Sequence, residues 1–378
     1  AVPRVTGSPI IDGNLDDKAW QHASSVITLI DGEKPEESFG YNANNPKFCH
    51  DGKTLYVSFK TVFPANYNIL MGKSAEEVVS DVWPDEAFEL FLEVNGLIYR
   101  FGGNVAGGYC ASLLPVSSNS MISWKYQSTI TTEINDSRIW QGEMAIPFES
   151  LGMTSAEGTE IKANFCRTWR GFERLGVASL GGTPDYTDKD HFAVLKMSSD
   201  STAFQETSMG NPNEGTLEQK AQIYSDKDEL LKYSVTLRSS GGYVPESLLL
   251  DKTIVTKPGG LESIDSNIQI ESTSYDRILF ELKDVKTSNV FMRQEVPFKI
   301  GQDYLNVIPV YGSEKIIVKP RFNLAQKKAG ENPLGLEVLS PDGKTLAISG
   351  YDAVIRLVDW TSGKFLASCE GHTSAAPS

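Results

Sequence analysis

The sequence is short of positive charge: 35 Lys and Arg face 49 Asp and Glu, a formal net charge of −14 over 378 residues. No local Lys/Arg cluster reverses that balance, which argues against phosphate backbones and anionic lipid surfaces, so no nucleic-acid partner is expected. Long apolar runs are missing too. Nothing approaches the roughly eighteen apolar residues of a spanning helix, so no membrane insertion is expected. Cysteine and histidine are scarce, at four each (Cys49, Cys110, Cys166, Cys369; His22, His50, His191, His372), without CxxC or metal-ligand spacing. Cys49 and Cys166 fall in strand-like runs, where a buried free thiol is expected, and no disulfide is assigned. No cofactor is expected, with calcium as the single candidate at the acidic loop of Asp12, Asp16 and Asp17, where EF-hand spacing is lacking. The opening AVPRVTGSPIIDG has no initiator methionine, basic n-region or apolar h-region. That suits a mature secreted protein, so an extracellular or cell-surface location is expected.

What the chain does contain is short strands. From 1 to about 198, period-two segments (KFCHD, TLYVSFKTVF, GYCASLL, ISWKYQSTITTEI, RIWQGEMAI, IKANFCRTWRG, DHFAVLKM) alternate with Gly, Asn and Pro turns. Helix-like pieces are confined to single turns around LDDKAW and SAEEVVS. The expected class is all-β, beginning with a two-sheet antiparallel sandwich over 1–198. Residues 199–219 are polar, small and turn-rich and read as a linker. LLKYSVTLRS, SLLLDKTIVTK, SNIQIEST, RILFELKDV and VFMRQEVPFKI then predict a smaller immunoglobulin-like sandwich over 220–302. A third, over 303–373, rests on LNVIPVY, EKIIVKPRF, LGLEVLS, KTLAISG, AVIRLVD and KFLASCE, with turns at Asp342-Gly343 and Ser362-Gly363. Within it, SPDGKTLAISGYDAVIRLVDWTSGKFLASCEGHT, spanning 340–373, resembles a WD40 repeat. A partial blade is therefore the alternative, although no second copy recurs at the propeller period of about forty residues.

The stretch DVWPDEAFELFLEVNGLIYRF (81–101) predicts a hairpin about Asn95-Gly96. Folding there pairs Val94 with Leu97, Glu93 with Ile98, Leu92 with Tyr99 and Phe91 with Arg100. Phe88, Leu90, Leu92, Val94, Leu97, Tyr99 and Phe101 then share an apolar face, while Glu89, Phe91, Glu93 and Arg100 share the other. Trp140 shares a strand face with Met144 and Ile146 and is expected in the core. Trp20 is also read as packing.

Four ordered segments, IIDGNLDDKAW, CHDGKTLYVSF, VWPDEAFELFL and IWQGEMAIPFESLG followed by IKANFCRTWRG, make residues 1–198 resemble the family 9 carbohydrate-binding modules and their DOMON-like relatives. The resemblance implies a sandwich that holds a sugar between two aromatics near one edge, with polar side chains gripping the hydroxyls beneath. On this chain the aromatics fall on Trp83 and Tyr186, the acidic hydrogen-bonder on Glu89 and the arginine on Arg100. Trp20 would plug one end of the sandwich. Tyr186 stands where the family usually has Trp, and Cys166 where sugar-binding members can carry an amide. Arg167 and Arg170 have no fixed role in the pattern. A pyranose C–H face stacks on an aromatic plane, and vicinal hydroxyls suit carboxylate and guanidinium partners.

The functional expectation is a non-catalytic carbohydrate-binding protein or module of a secreted polysaccharide-processing system, its partner an oligo- or polysaccharide. The alternative is a multi-domain surface or scaffold protein of stacked sandwiches that self-associates and binds no sugar. Catalysis is not expected. Paired glycosidase carboxylates stand about 5–9.5 Å apart, whereas Asp85 and Glu89, or Glu89 and Glu93, would be separated by about 13 Å on a regular strand. Only a bulge ahead of Glu89 could bring them closer.

Overall fold

The computed structural model describes residues 1–35, 38, 45–63, 67–69, 82–114, 122–132, 138–170, 176–240, 244–270 and 275–300, and C-terminally 304–309, 316–321, 337–339, 344–349, 355–359, 362 and 364–369. The first sandwich is built from β1 (Ser24–Ser25), β2 (Ile30–Asp31), β3 (Lys47–His50), β4 (Thr54–Phe63), β5 (Ala87–Val94), β6 (Leu97–Asn104), β7 (Tyr109–Leu114), β8 (Lys125–Thr132), β9 (Arg138–Pro147), β10 (Glu160–Trp169), β11 (Gly176–Ser179) and β12 (Ala193–Lys196). One sheet runs β1-β3-β4-β9-β8, and the other β2-β11-β10-β5-β6-β7 with β12 also on β10. Alternation decides which side chains meet between them. Phe48, Leu55, Val57, Phe59, Trp140, Met144 and Ile146 from one sheet pack on Phe88, Leu90, Leu92, Phe101, Ala163, Phe165 and Trp169 from the other.

The 81–101 hairpin forms in the expected register, Val94 opposite Leu97 through Phe91 opposite Arg100. Asn95 and Gly96 both take positive φ, 53° and 80°, the mirror-image turn whose twist matches the flanking strands. Leu97 is the exception on the apolar face, 43 % exposed because it lies beyond the sandwich rim.

Trp20 ends up elsewhere than at a sandwich end. The short helix α1 (Lys18–Gln21) lays it on the outer face of the first sheet, against Cys49, Tyr56 and Ala145. There its indole Nε1 donates to Glu143 Oε1 at 2.6 Å. Glu143 also accepts from Gly13 N at 2.7 Å and Asp12 N at 3.0 Å, and burial pushes its carboxyl up to about 7. The neighbouring loop uses its own carboxylates: Asp12 accepts from Asn14 N and Asp17 from Ile10 N. Among the described residues no group of three or more His, Cys, Asp or Glu could hold a metal ion. Cys49 and Cys166 are buried free thiols, and Cys110 is buried as well.

The polar stretch read as a linker is largely strand. β13 (Ala203–Met209) and the start of β14 (Thr216–Ser225) belong to a sheet completed by β17 (Gly260–Gln269), in the order β13-β14-β17. Its facing sheet is β16-β15-β18-β19, from β15 (Leu230–Arg238), β16 (Ser247–Val255), β18 (Arg277–Asp284) and β19 (Val290–Pro297). The reason the segment orders is the body it lies on. Phe204 N donates to Ser24 Oγ, Glu206 N to Ser25 Oγ, and the Gln205 amide to the carbonyls of Trp20 and Ala23 at 2.7 and 2.8 Å. Gln294 in turn holds the backbone of Ile27 and Thr28. Residues 1–300 therefore form one compact unit, and 301–378 a second.

In the second unit β20 (Tyr304–Pro309) pairs with β21 (Ile316–Arg321). The strands β22 (Glu337–Leu339), β23 (Thr345–Ser349), β24 (Ile355–Asp359) and β25 (Phe365–Cys369) follow one another as an antiparallel meander in a single sheet, the strand succession of one propeller blade. The Asp342-Gly343 turn and Gly363 of the second turn lie outside the described residues.

Candidate functional site

The outward face of the second sheet is centred where β5 runs beside β10. Glu89 lies opposite Cys166 and Phe91 opposite Asn164, and across the hairpin Phe91 faces Arg100. Because these positions are odd on β5 and even on β10 and β6, they project away from the core. The loop after β11 crosses this face and is pinned by Asn164, whose Nδ2 donates to Tyr186 O at 3.0 Å and whose Oδ1 accepts from Gly181 N at 3.0 Å.

All four predicted residues come together here. Glu89 is 4 % exposed, and its Oε1 accepts from Arg100 Nε at 2.5 Å. The side chains of Arg100 and Glu89 are 20 % and 5 % exposed, so the pair is largely out of water while the guanidinium keeps contact with it. Phe91, Cys166, Tyr186 and Phe192 form a small apolar cluster, with Trp83, Ile98 and Leu114 at its margin. Beside the Glu89 carboxylate, burial drives the Cys166 thiol far above its ordinary range. Cys166 is packing, not a nucleophile.

The two aromatics do not flank a gap. Their ring centroids are 5.9 Å apart at 76°, an edge-to-face contact, and no pyranose fits between rings that already touch. Tyr186 is 6 % exposed and its hydroxyl donates to Arg167 O at 3.0 Å, while burial raises its phenol well above the usual range. Trp83, half-buried, carries the Arg170 guanidinium 5.0 Å from its ring centroid. Arg170 also donates to Trp83 O. The arrangement is an aromatic supported from the side by Tyr186 and roofed by a cation, next to a shielded ion pair. Replacing Tyr186 with Phe is expected to cost about 1 kcal/mol in chemical denaturation, by removing one buried hydrogen bond, and to leave any affinity carried by Trp83 unchanged.

Sequence reasoning missed Glu86 and Arg167, which hold this face from behind, and Arg170, which covers Trp83. Glu86 is fully buried and accepts from Tyr67 OH at 2.6 Å, Arg170 N at 2.8 Å and Arg167 Nη2 at 3.2 Å. Arg167 is 1 % exposed. Its guanidinium lies 4.6 Å from the Trp140 ring and 4.9 Å from that of Trp169. The signal was available: along IKANFCRTWRG, Arg167 has the parity of Ala163, Phe165 and Trp169, and a core arginine requires a buried carboxylate.

Along the strand itself, Glu89 and Glu93 are not spaced as a glycosidase pair. On β5 the ladder to β10 runs through 87–93 and the ladder to β6 through 87–94, both without a register shift, so no bulge shortens the Glu89 to Glu93 spacing of about 13 Å. Each faces its own cation, Arg100 for Glu89 and Lys162 for Glu93 at 3.6 Å. Asp85 accepts from Asn104 Nδ2 at 2.9 Å.

No family model matches the chain, and no curated protein matches it in sequence. Among solved structures it is similar to a protein from Bacteroides uniformis provisionally designated carbohydrate-binding, with 17 % identity and a TM-score of 0.38 over 52 % of this chain and 97 % of that one. It is also similar to a calcium-binding mutant of Bacteroides uniformis β-glucuronidase 2 (13 % identity, TM-score 0.20, 84 % of this chain and 33 % of that one). A third is the β-glucosidase of Kluyveromyces marxianus in complex with glucose (6 % identity, TM-score 0.20, 65 % and 44 %). The chain spans less than half the length of either glycosidase, and none of these scores establishes a shared family.

Proposed function

We propose that residues 1–198 are a non-catalytic carbohydrate-binding module of the family 9 type, acting on an oligo- or polysaccharide outside the cell. The observation that carries this reading is the meeting of Trp83, Glu89, Arg100 and Tyr186 on one outward sheet face with a shielded Glu89–Arg100 pair. A shielded ion pair contributes little to stability once desolvation is counted, so its position on an outer face beside a half-buried indole is better explained by a polyhydroxylated ligand. Trp83 is the stacking surface, reached when Arg170 swings off its ring. Arg100 and Glu89 meet the hydroxyls, and Tyr186 braces Trp83 instead of forming a second wall.

The test is tryptophan emission and glycan-array binding with xylo- and cello-oligosaccharides. Saturable binding that falls at least about tenfold in Trp83→Ala, a loss of about 1.4 kcal/mol, is the expected result. Silence of the native chain across the array would sink the reading.

A second reading rests on the same geometry. Arg170 over Trp83 and the Tyr186 contact fill the face with the chain's own side chains, as in a stacked-sandwich scaffold that binds no sugar. Array silence together with concentration-dependent assembly in light scattering would favour it.

A further inference from the structure

Beside the seam between the two sandwiches of residues 1–300 lies a cleft of about 510 Å³, lined from one side by Lys18, Gln21 and Lys47 and from the other by Gln205, Gln222 and Tyr224. Its charge is opposite to that of the chain. No Asp or Glu lines it, although the protein carries a net −14, and among the described residues neither lysine has an ion-pair partner. The Lys47 ammonium is held by a neutral group: it donates to Gln205 Oε1 at 3.0 Å, and Gln205 is itself fixed by its bonds to the carbonyls of Trp20 and Ala23. Burial, followed by the nearby Lys60, lowers the pKa of Lys47. A half-buried ammonium with no counter-charge is an unfavourable arrangement that a bound anion relieves.

The remaining lining chemistry is that of a polyol site. Among the described residues, the amides of Gln21 and Gln222 and the phenol of Tyr224 make no hydrogen bond to protein. Tyr224 stacks on His22 with centroids 3.6 Å apart at 9°, a ring contact between the two sandwiches at the cleft wall. Asp226 acts on His22 electrostatically without lining the cleft. Leu15 and the 55 % exposed Leu261 supply apolar rim. The volume lies in the usual range for small-molecule pockets, about 300–1,000 Å³, enough for one or two sugar rings.

We infer that this cleft binds a small carboxylated saccharide, its carboxylate held by Lys18 and Lys47 and its hydroxyls by Gln21, Gln222 and Tyr224. The site is separate from the Trp83 face and does not depend on it.

The experiment is calorimetric titration of the full chain with glucuronate, glucose and inorganic phosphate, in the native protein and in Lys18→Gln, Lys47→Gln and Trp83→Ala. Glucuronate is expected to bind saturably, with affinity lowered about tenfold in each lysine variant and unchanged in Trp83→Ala. Glucose is expected to bind at least about tenfold more weakly than glucuronate. Lys18 is exposed, so its variant reports on the site even if Lys47→Gln does not fold. Glucuronate binding indifferent to Lys18→Gln, or absent altogether, would overturn the assignment, and phosphate binding as tight as glucuronate would overturn the sugar-acid part of it.

Discussion

Replacing Glu86 with alanine is expected to destabilise the first sandwich by about 3–5 kcal/mol, because it strands a buried guanidinium. Arg167 lies among Trp140, Trp169 and Phe63, and its Nη1 donates to the backbone carbonyls of Ala87 and Thr168. Its Nε finds no partner. Removing Glu86 takes away the countercharge and the carboxylate that accepts from Tyr67 OH and Arg170 N. The double variant Arg167→Met, Glu86→Gln removes both charges while the amide oxygen can still accept from Tyr67 OH and Arg170 N, and should recover most of the loss, since a buried pair removed whole costs far less than one partner removed alone. Urea denaturation of the native, single and double variants gives the comparison; a single variant within about 1 kcal/mol of native would contradict the buried pair. The same change reaches the candidate site. Glu86 holds Arg170 N and Arg170 roofs Trp83, so Glu86→Ala should also alter Trp83 emission.

The second large effect is pH-dependent and centres on Glu206. Its Oε2 accepts from Gln219 Nε2 at 2.9 Å, while Oε1 is buried without a donor. Gln219 Oε1 is occupied by Tyr233 OH at 2.7 Å. Burial outweighs the hydrogen bonds from Gln219 and the Ser208 backbone and raises the pKa from 4.5 to about 8. Between these values the folded chain keeps a proton that the unfolded chain has released, so stability from this group is full below about 4.5 and declines as pH rises through 8. Glu206→Gln is neutral at every pH. It should match the native protein near pH 5 and exceed it at pH 9 by on the order of 3 kcal/mol. His22, His50 and the Ala1 ammonium, lowered mainly by burial, the last to about 5, slope the opposite way but are shared by both proteins and cancel in the difference. Parallel stability curves for the two between pH 5 and 9 would show that Glu206 is ionised in the fold.

Much was legible in the sequence because strands announce themselves locally. The period of two, the Asn95-Gly96 turn and the hairpin register follow from side-chain alternation and turn sterics, which need no distant partner. The same parity placed Trp140 in the core and Glu89 beside Arg100 on the outward face.

What failed depended on a second body. Residues 203–209 look like linker because their polarity is matched by Ser24, Ser25 and backbone carbonyls about 180 residues away, and no local window contains both halves. The sugar sandwich expected of Trp83 and Tyr186 required a gap whose width neither residue encodes. It is set by the loop that Asn164 pins and by Arg170, which Glu86 holds over the indole.

The sequence by itself thus determined an all-β chain, the hairpin and its two faces, since these follow from nearest-neighbour geometry. Only the tertiary structure decided that Trp83 and Tyr186 touch, that Arg167 is buried against Glu86, and that two lysines meet at a seam between sandwiches. Each of those outcomes is the balance of desolvation against pairing for groups distant in sequence, and that balance exists only once the sheets have packed.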